Sequence, residues 1–200
     1  MDRKQLKETA KARIRGHIGI LFVIALLVGL IAGGASAIPI VGQLACAIIL
    51  GPAFSLAMVQ IYLGIWAGVP ADVMDAFACF NQFWSAFKVG FLQGLFTFLW
   101  SLLLFIPGII KSYAYSQAMF ILDDHPAIGA REALRRSEEL MKGHKMELFV
   151  LELSFIGWHL LALVTFGLSY IYVTPYLSTT RAGFYRSIAG DRFETASANL

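Results

Sequence analysis

The sequence predicts an all-α fold, a polytopic transmembrane helical bundle, and three observations lead there. Of its 200 residues, 58% are hydrophobic and only 14% are charged, which lies outside the usual composition of soluble domains. Charge is absent from His17 to Ala71, from Val89 to Ile110 and from Leu153 to Thr180, with a shorter charge-free window from Ser112 to Leu122. The cations gather in short blocks flanking these runs, the pattern that sets membrane topology. A sheet is disfavoured, because an open edge cannot be satisfied in lipid and the alternating ten-residue pattern of a membrane barrel is missing.

A crossing needs about 20 mostly apolar residues, so the 55 residues from His17 to Ala71 must hold two crossings joined by a turn. The expected spans, in order, lie near 17–37, 42–67, 88–106, 108–122, 146–165 and 168–186. The first follows a basic stretch from Arg3 to Arg15 and ends near Ala35-Ser36-Ala37, which imitates a cleavable signal peptide. A matching segment later in the chain argues for its retention. The second returns after Ile38-Pro39, and the third ends at an Ile106-Pro107-Gly108 corner. The fourth has a short apolar part, and the sixth contains Pro175, Ser178, Thr179 and Thr180. Four spans with two re-entrant hairpins is therefore the alternative.

Six spans put both termini on one side together with fifteen of the sixteen Lys and Arg residues, and the positive-inside rule makes that side cytoplasmic. Lys111 is the exception, expected one turn beyond the Pro107-Gly108 corner and snorkelling to the outer headgroups.

The chain reads as one integral membrane domain over 1–200 with an internal repeat. Arg15-Gly16-His17 sets on Lys142-Gly143-His144, and Leu21-Phe22-Val23 then falls on Leu148-Phe149-Val150 without a gap. Ala53-Phe54-Ser55-Leu56-Ala57-Met58 aligns with Ala114-Tyr115-Ser116-Gln117-Ala118-Met119, and Pro52, Ser55 and Tyr62 share their spacing with Pro175, Ser178 and Tyr185. The common order suggests three helical hairpins, in units of about 12–69, 85–125 and 142–187.

Amphipathic connectors link the units at 70–84 and 126–141. Around the first, Val73, Phe77, Phe80, Trp84 and Phe87 fall on one helical face, as expected of a helix in the interface plane. The second keeps an apolar face through Ala130, Leu134, Ser137 and Met141 but adds Arg131, Arg135 and Arg136, which would attract anionic headgroups. Small-residue pairs Gly29 with Gly33, Gly64 with Gly68, and Gly90 with Gly94 have the spacing that lets helices approach closely.

Glu147 and Glu152 are acidic residues just inside an apolar run, a placement that marks function by default. Both lie within about two turns of Lys145, so pairing with Lys142, Lys145 or Arg181 is the structural reading. A polar site at the cytoplasmic mouth of the bundle is the functional one. His159 sits deeper, where an imidazole either relays protons or hydrogen-bonds a neighbouring helix. With His144 and Lys111 these residues form the candidate polar or interfacial set. Asp123-Asp124-His125-Pro126 supplies too few oxygens for a hard cation and reads as a turn.

Cys46 and Cys79 are far apart and lack partners at metal-ligand spacing, so they read as packing residues. The chain contains no nucleophile elbow, phosphate-binding loop, zinc helix or paired-acid motif. No catalytic residue, metal or cofactor is expected, and the scattered cations do not form a nucleic-acid surface.

Lys142-Gly143-His144-Lys145, Leu153-Ser154-Phe155-Ile156-Gly157-Trp158, Pro175-Tyr176 and Phe184-Tyr185, together with Ile106-Pro107-Gly108 and Tyr113-Ala114-Tyr115-Ser116, give the chain a family likeness from about Phe98 to Tyr185. It resembles the uncharacterised bacterial membrane proteins of domain-of-unknown-function family 975. The resemblance implies a multi-pass protein of the bacterial cytoplasmic (inner) membrane and brings no catalytic residues. The expected function is non-enzymatic, with contacts to membrane lipids or a membrane partner protein. A small-molecule or lipid transporter is the alternative, and a membrane-embedded enzyme ranks third, requiring Glu147, Glu152, His144 and His159 to share one pocket.

Overall fold

The charged N-terminus forms α1, Arg3–Ile14, because Leu6, Ala10 and Ile14 recur every four residues and bury one face. The computed structural model describes residues 3–35, 51–75, 82–103, 105–165 and 167–197, and its regular structure there is entirely helical. After α1 come α2 (Ile18–Ala35), α3 (Gly51–Ala67), α4 (Phe83–Leu103), α5 (Phe105–Tyr115) and α6 (Ala118–Asp124). The chain continues through α7 (Ala130–Leu140), α8 (Lys145–Leu153), α9 (Ile156–Val164) and α10 (Tyr170–Ser197). Of the sequence features named above, Ser36, Ala37, Ile38, Pro39, Cys46, Phe77, Cys79 and Phe80 lie outside the described residues.

The all-α class stands, but the expected six spans are corrected. Among the described residues, Lys145–Val164 is long and apolar enough to cross a membrane, and Arg3–Ile14 with Ile18–Leu30, bent by 81°, adds a second if the bent pair is one span. The reasons are local. The stretch expected as a fourth span is two helices of 11 and 7 residues, interrupted at Ser116 and Gln117. The sixth is the start of α10, which includes Pro175, Arg181 and Arg186 and is broken by a kink at Gly190. Of the second, only Gly51–Ala67 is described, at 17 residues.

Two turns also differ from expectation. Pro107 and Gly108 do not form the corner between α4 and α5; they lie inside the first turn of α5, where a missing N–H costs nothing because that turn has no intrahelical partner for it. A Cβ on Gly108 would stand 2.7 Å from the Ser101 Cα, so the glycine is what lets the two antiparallel backbones touch. In the first connector, Trp84 and Phe87 belong to α4 itself, with the Phe87 ring stacked between those of Phe83 and Phe91.

The second connector contains a helix, as its periodicity predicts, but α7 does not lie apart from the bundle. Ala133, Leu134, Ser137 and Leu140 are buried, the first two within a cluster with Leu56, Val89, Ala114 and Leu122. A central core gathers Ile14, Ile24, Ile65, Ile121, Phe155 and Tyr185 from six different segments. Around it α10 packs against α1 and α3.

The cation-Gly-His elements share a pattern of hydrogen bonds and burial, although Gly143 takes a left-handed φ and Gly16 does not. Each joins an amphipathic helix to an apolar one, α1 to α2 and α7 to α8. His17 N–H donates to Ile14 and Leu21 N–H to His17, at 2.8 and 3.0 Å; His144 N–H donates to Met141 and Leu148 N–H to His144, at 3.2 and 3.1 Å. Ile14 and Met141, and Leu21 and Leu148, are buried in both. Gly143 uses a left-handed φ of 88° in its turn.

Of the glycine pairs, Gly90 makes a tight helix contact: a Cβ there would lie 2.7 Å from the Pro52 ring. Gly29, Gly33 and Gly94 have nothing within 4 Å of that position. Gly64 and Gly68 end α3 instead. Gly68, at φ 89°, donates to Ile65, and Val69 donates to the Gly64 carbonyl, the paired bonds of a glycine-closed helix C-terminus. The close approach that spacing misses is Gly183, where a Cβ would sit 2.4 Å from the Trp66 ring.

Candidate functional site

Glu152 is positioned by the face of α8 that buries Leu148 and Leu151. Its Oε2 accepts from the Tyr113 hydroxyl of α5 at 2.7 Å. Its Oε1 accepts from Arg181 of α10, through Nε at 2.8 Å and also through Nη2. One carboxylate therefore ties three helices. An exposed ion pair contributes about 0–1 kcal/mol, whereas a hydrogen bond to a charged group contributes about 1.5–3 kcal/mol. With Glu152 only 19% exposed and Arg181 44%, the tyrosine bond adds the larger share.

The same arrangement occurs a second time. Asp124, at the end of α6, accepts from the Tyr185 hydroxyl and from both terminal nitrogens of Arg186, at 2.9 and 3.1 Å. Its neighbour Asp123 hydrogen-bonds the Gln60 side chain, and burial raises the Asp123 carboxyl pKa. Asp124 is thereby committed to α10, so the turn reading of Asp123-Asp124-His125-Pro126 omits a tertiary tie.

Lys111 pairs with Glu138 of α7, Nζ to Oε1 at 2.6 Å, and its Nζ stands 5.4 Å from the Trp100 ring. The expectation that Lys111 snorkels alone on the side opposite the other cations is corrected. Its partner is on the charged connector, which puts the two on the same side. Farther along α7, exposed Glu132 receives hydrogen bonds from Arg135 and Arg136. These hold its carboxyl well below the usual range, at about 2.

Glu147 and His144 meet each other, with Nδ1 and Oε2 3.0 Å apart, and are largely exposed. They line an open cleft of about 520 Å³ with Arg3, Val150, Phe184 and Ser187. His159 lies elsewhere, in an apolar hollow with Leu160, Leu163 and Tyr170, its ring 5.9 Å from that of Tyr170. The four residues that an enzyme reading requires to converge are thus divided among three places.

Sequence reasoning missed Tyr113, Asp124, Glu138, Tyr185 and Arg186 as members of these clusters. Tyr113 and Tyr185 were visible as family-like motifs, yet nothing in their spacing pointed to an acid 39 or 61 positions away.

A larger cleft, of about 1030 Å³, lies among α3, α4, α5 and α10. On α4 its wall is Gly90, Gln93, Gly94, Thr97, Phe98 and Ser101, spaced as one helical face. On α10 it is Thr174, Ser178 and Arg181, at intervals of four and three. The wall is mainly apolar with hydroxyl groups along it.

Residues 102–192 match the family model described as Protein of unknown function (DUF975). Every member of the three ion-pair clusters falls inside that interval. No curated protein and no solved structure matches the chain.

Proposed function

We propose, from the match of residues 102–192 to this family model, that the protein is an integral protein of the bacterial cytoplasmic membrane. In this reading it is non-enzymatic, both termini are cytoplasmic, and it contacts lipid headgroups or a membrane partner protein. One observation supports this most. Large apolar side chains stand exposed on α4 and α5 (Phe98, Leu99, Leu102, Ile106) and on α9 and the turn after it (Leu160, Leu163, Val164, Leu168). A water-soluble monomer rarely exposes contiguous apolar surface on this scale.

The test is extraction of membranes from expressing cells with alkaline carbonate. The protein is expected to stay in the pellet, and its release would overturn the proposal. Turnover of a lipid or soluble substrate by purified protein, lost in Glu152→Gln, would overturn the non-enzymatic part.

Transport of a lipid or small molecule is the second reading, favoured by the cleft among α3, α4, α5 and α10. Its size is at the upper end of small-molecule sites.

A further inference from the structure

We propose that the cleft of about 1030 Å³ binds one membrane lipid with an anionic headgroup, the headgroup at Arg181 and an acyl chain along the Gly90 to Ser101 face of α4. The inference rests on the membrane reading above. It follows from three features of the wall.

The first is charge. Among the described residues, Arg181 is the one charged side chain lining the cleft. Glu152 takes its Nε and Nη2, and Nη1 has no hydrogen bond among the described residues. Arginine suits phosphate and carboxylate groups because its planar fork presents several donors at once. A cation with an unused donor in the wall of a mainly apolar cleft complements an anionic headgroup.

The second is the state of four serine hydroxyls in the wall, which favours an amphiphile over a polar solute. Ser55, Ser101, Ser112 and Ser116 each donate to a carbonyl three or four residues back in their own helix, to Pro52, Thr97, Ile109 and Tyr113 at 2.8 to 2.9 Å. This back-bonding uses their protons, so they offer a solute few donors. A sugar-like or zwitterionic solute would leave many of its groups unpaired, at about 1–3 kcal/mol each. An acyl chain would lose nothing.

The third is length and access. From Gly90 to Ser101 the α4 face runs about 16 Å, close to half of a hydrocarbon core about 30 Å thick, the depth of one leaflet. Phe98 belongs both to the cleft wall and to the exposed apolar surface, at 64% exposure. The cleft is therefore continuous with the surface that faces lipid in the membrane reading.

The experiment counts bound ligand by native mass spectrometry on full-length protein purified in a neutral maltoside detergent, with dioleoyl phosphatidylglycerol, dioleoyl phosphatidylcholine or inorganic phosphate added. One phosphatidylglycerol is expected to bind at least about tenfold more tightly than phosphatidylcholine. Gly94→Leu should abolish that binding without disturbing the fold, since a Cβ at Gly94 meets nothing within 4 Å and leucine favours helix over glycine. Arg181→Gln should remove the preference for the anionic lipid; if that variant does not fold, Gly94→Leu still decides. Equal binding of the two lipids, binding undiminished in Gly94→Leu, or binding of phosphate alone would each overturn the inference. Carbonate extraction of the wild-type protein separates the two levels. A chain that resists extraction but shows no lipid preference loses this inference alone, while one that is released loses the membrane reading as well.

Discussion

The Ser137 hydroxyl of α7 donates to the Ala114 carbonyl at 2.7 Å, and the same oxygen accepts from the Gln117 N–H at 3.2 Å. These backbone groups flank the break between α5 and α6, where the helical ladder is interrupted, and Ser137 is fully buried. A buried backbone group without a partner costs about 1–3 kcal/mol, so one hydroxyl makes the interruption tolerable. Ser137→Ala is expected to lower stability by about 1–3 kcal/mol, or roughly 3 °C in the melting temperature for each kcal/mol at this chain length. Thermal melting in detergent checks it. Ser137→Thr, which keeps the hydroxyl, should lose less than Ser137→Ala.

Trp66 and Gly183 form a second dependence of one helix on another. A Cβ at Gly183 would overlap the indole, while Arg13 donates to the Trp66 carbonyl and lies 5.7 Å from its ring. Gly183→Ala is expected to cost about 1–3 kcal/mol as overpacking. The double variant with Trp66→Leu should recover most of that loss, and a double variant no more stable than the sum of the two single losses would show that the contact is unimportant.

Periodicity made the helices legible and tertiary pairing did not follow from it. The apolar spacing of Ala130, Leu134, Ser137 and Met141 pointed to α7, and the cation-Gly-His echo located both junctions between amphipathic and apolar helices. Hydropathy alone overcounted crossings, because it does not register an interruption such as Ser116 and Gln117 that is repaired by a residue twenty positions away. Charge placement failed at Lys111 for a related reason. A lone cation in an apolar window looks unpaired until Glu138 folds back on it. Glu152 was legible as an acid needing a partner, with Arg181 among the candidates, whereas Tyr113 was not, since a tyrosine in an apolar stretch has many possible roles.

Glu147 and Glu152 are five residues apart and should respond unequally to the same change. Glu152 accepts from Tyr113 and Arg181 at 19% exposure, while Glu147 meets only His144 at 58%. Glu152→Gln is expected to destabilise by about 1–3 kcal/mol, and Tyr113→Phe by about 1.5–3 kcal/mol through loss of a bond to a charged acceptor. Glu147→Gln should stay within about 0.5 kcal/mol of wild type. Denaturant melts of the three variants in one detergent check the ordering, and equal losses at Glu147 and Glu152 would contradict it.

Acid should act on α7 through Glu132, whose carboxyl is held down to about 2 by Arg135 and Arg136. The sign follows from proton linkage. With the folded value depressed, the unfolded chain binds more protons between the ordinary 4.5 and about 2, so this contribution is complete above pH 4.5 and is lost as pH falls through the folded value. Because the group is exposed, added salt should weaken the effect as well. The checking measurement is a carbon-detected NMR titration of the Glu132 side chain, expected to show a midpoint near 2. Melting curves of wild type and Glu132→Gln should then converge as pH falls from 4.5 to 2. A midpoint close to 4.5 would mean that the two arginines are solvated and leave the carboxylate unpaired in solution.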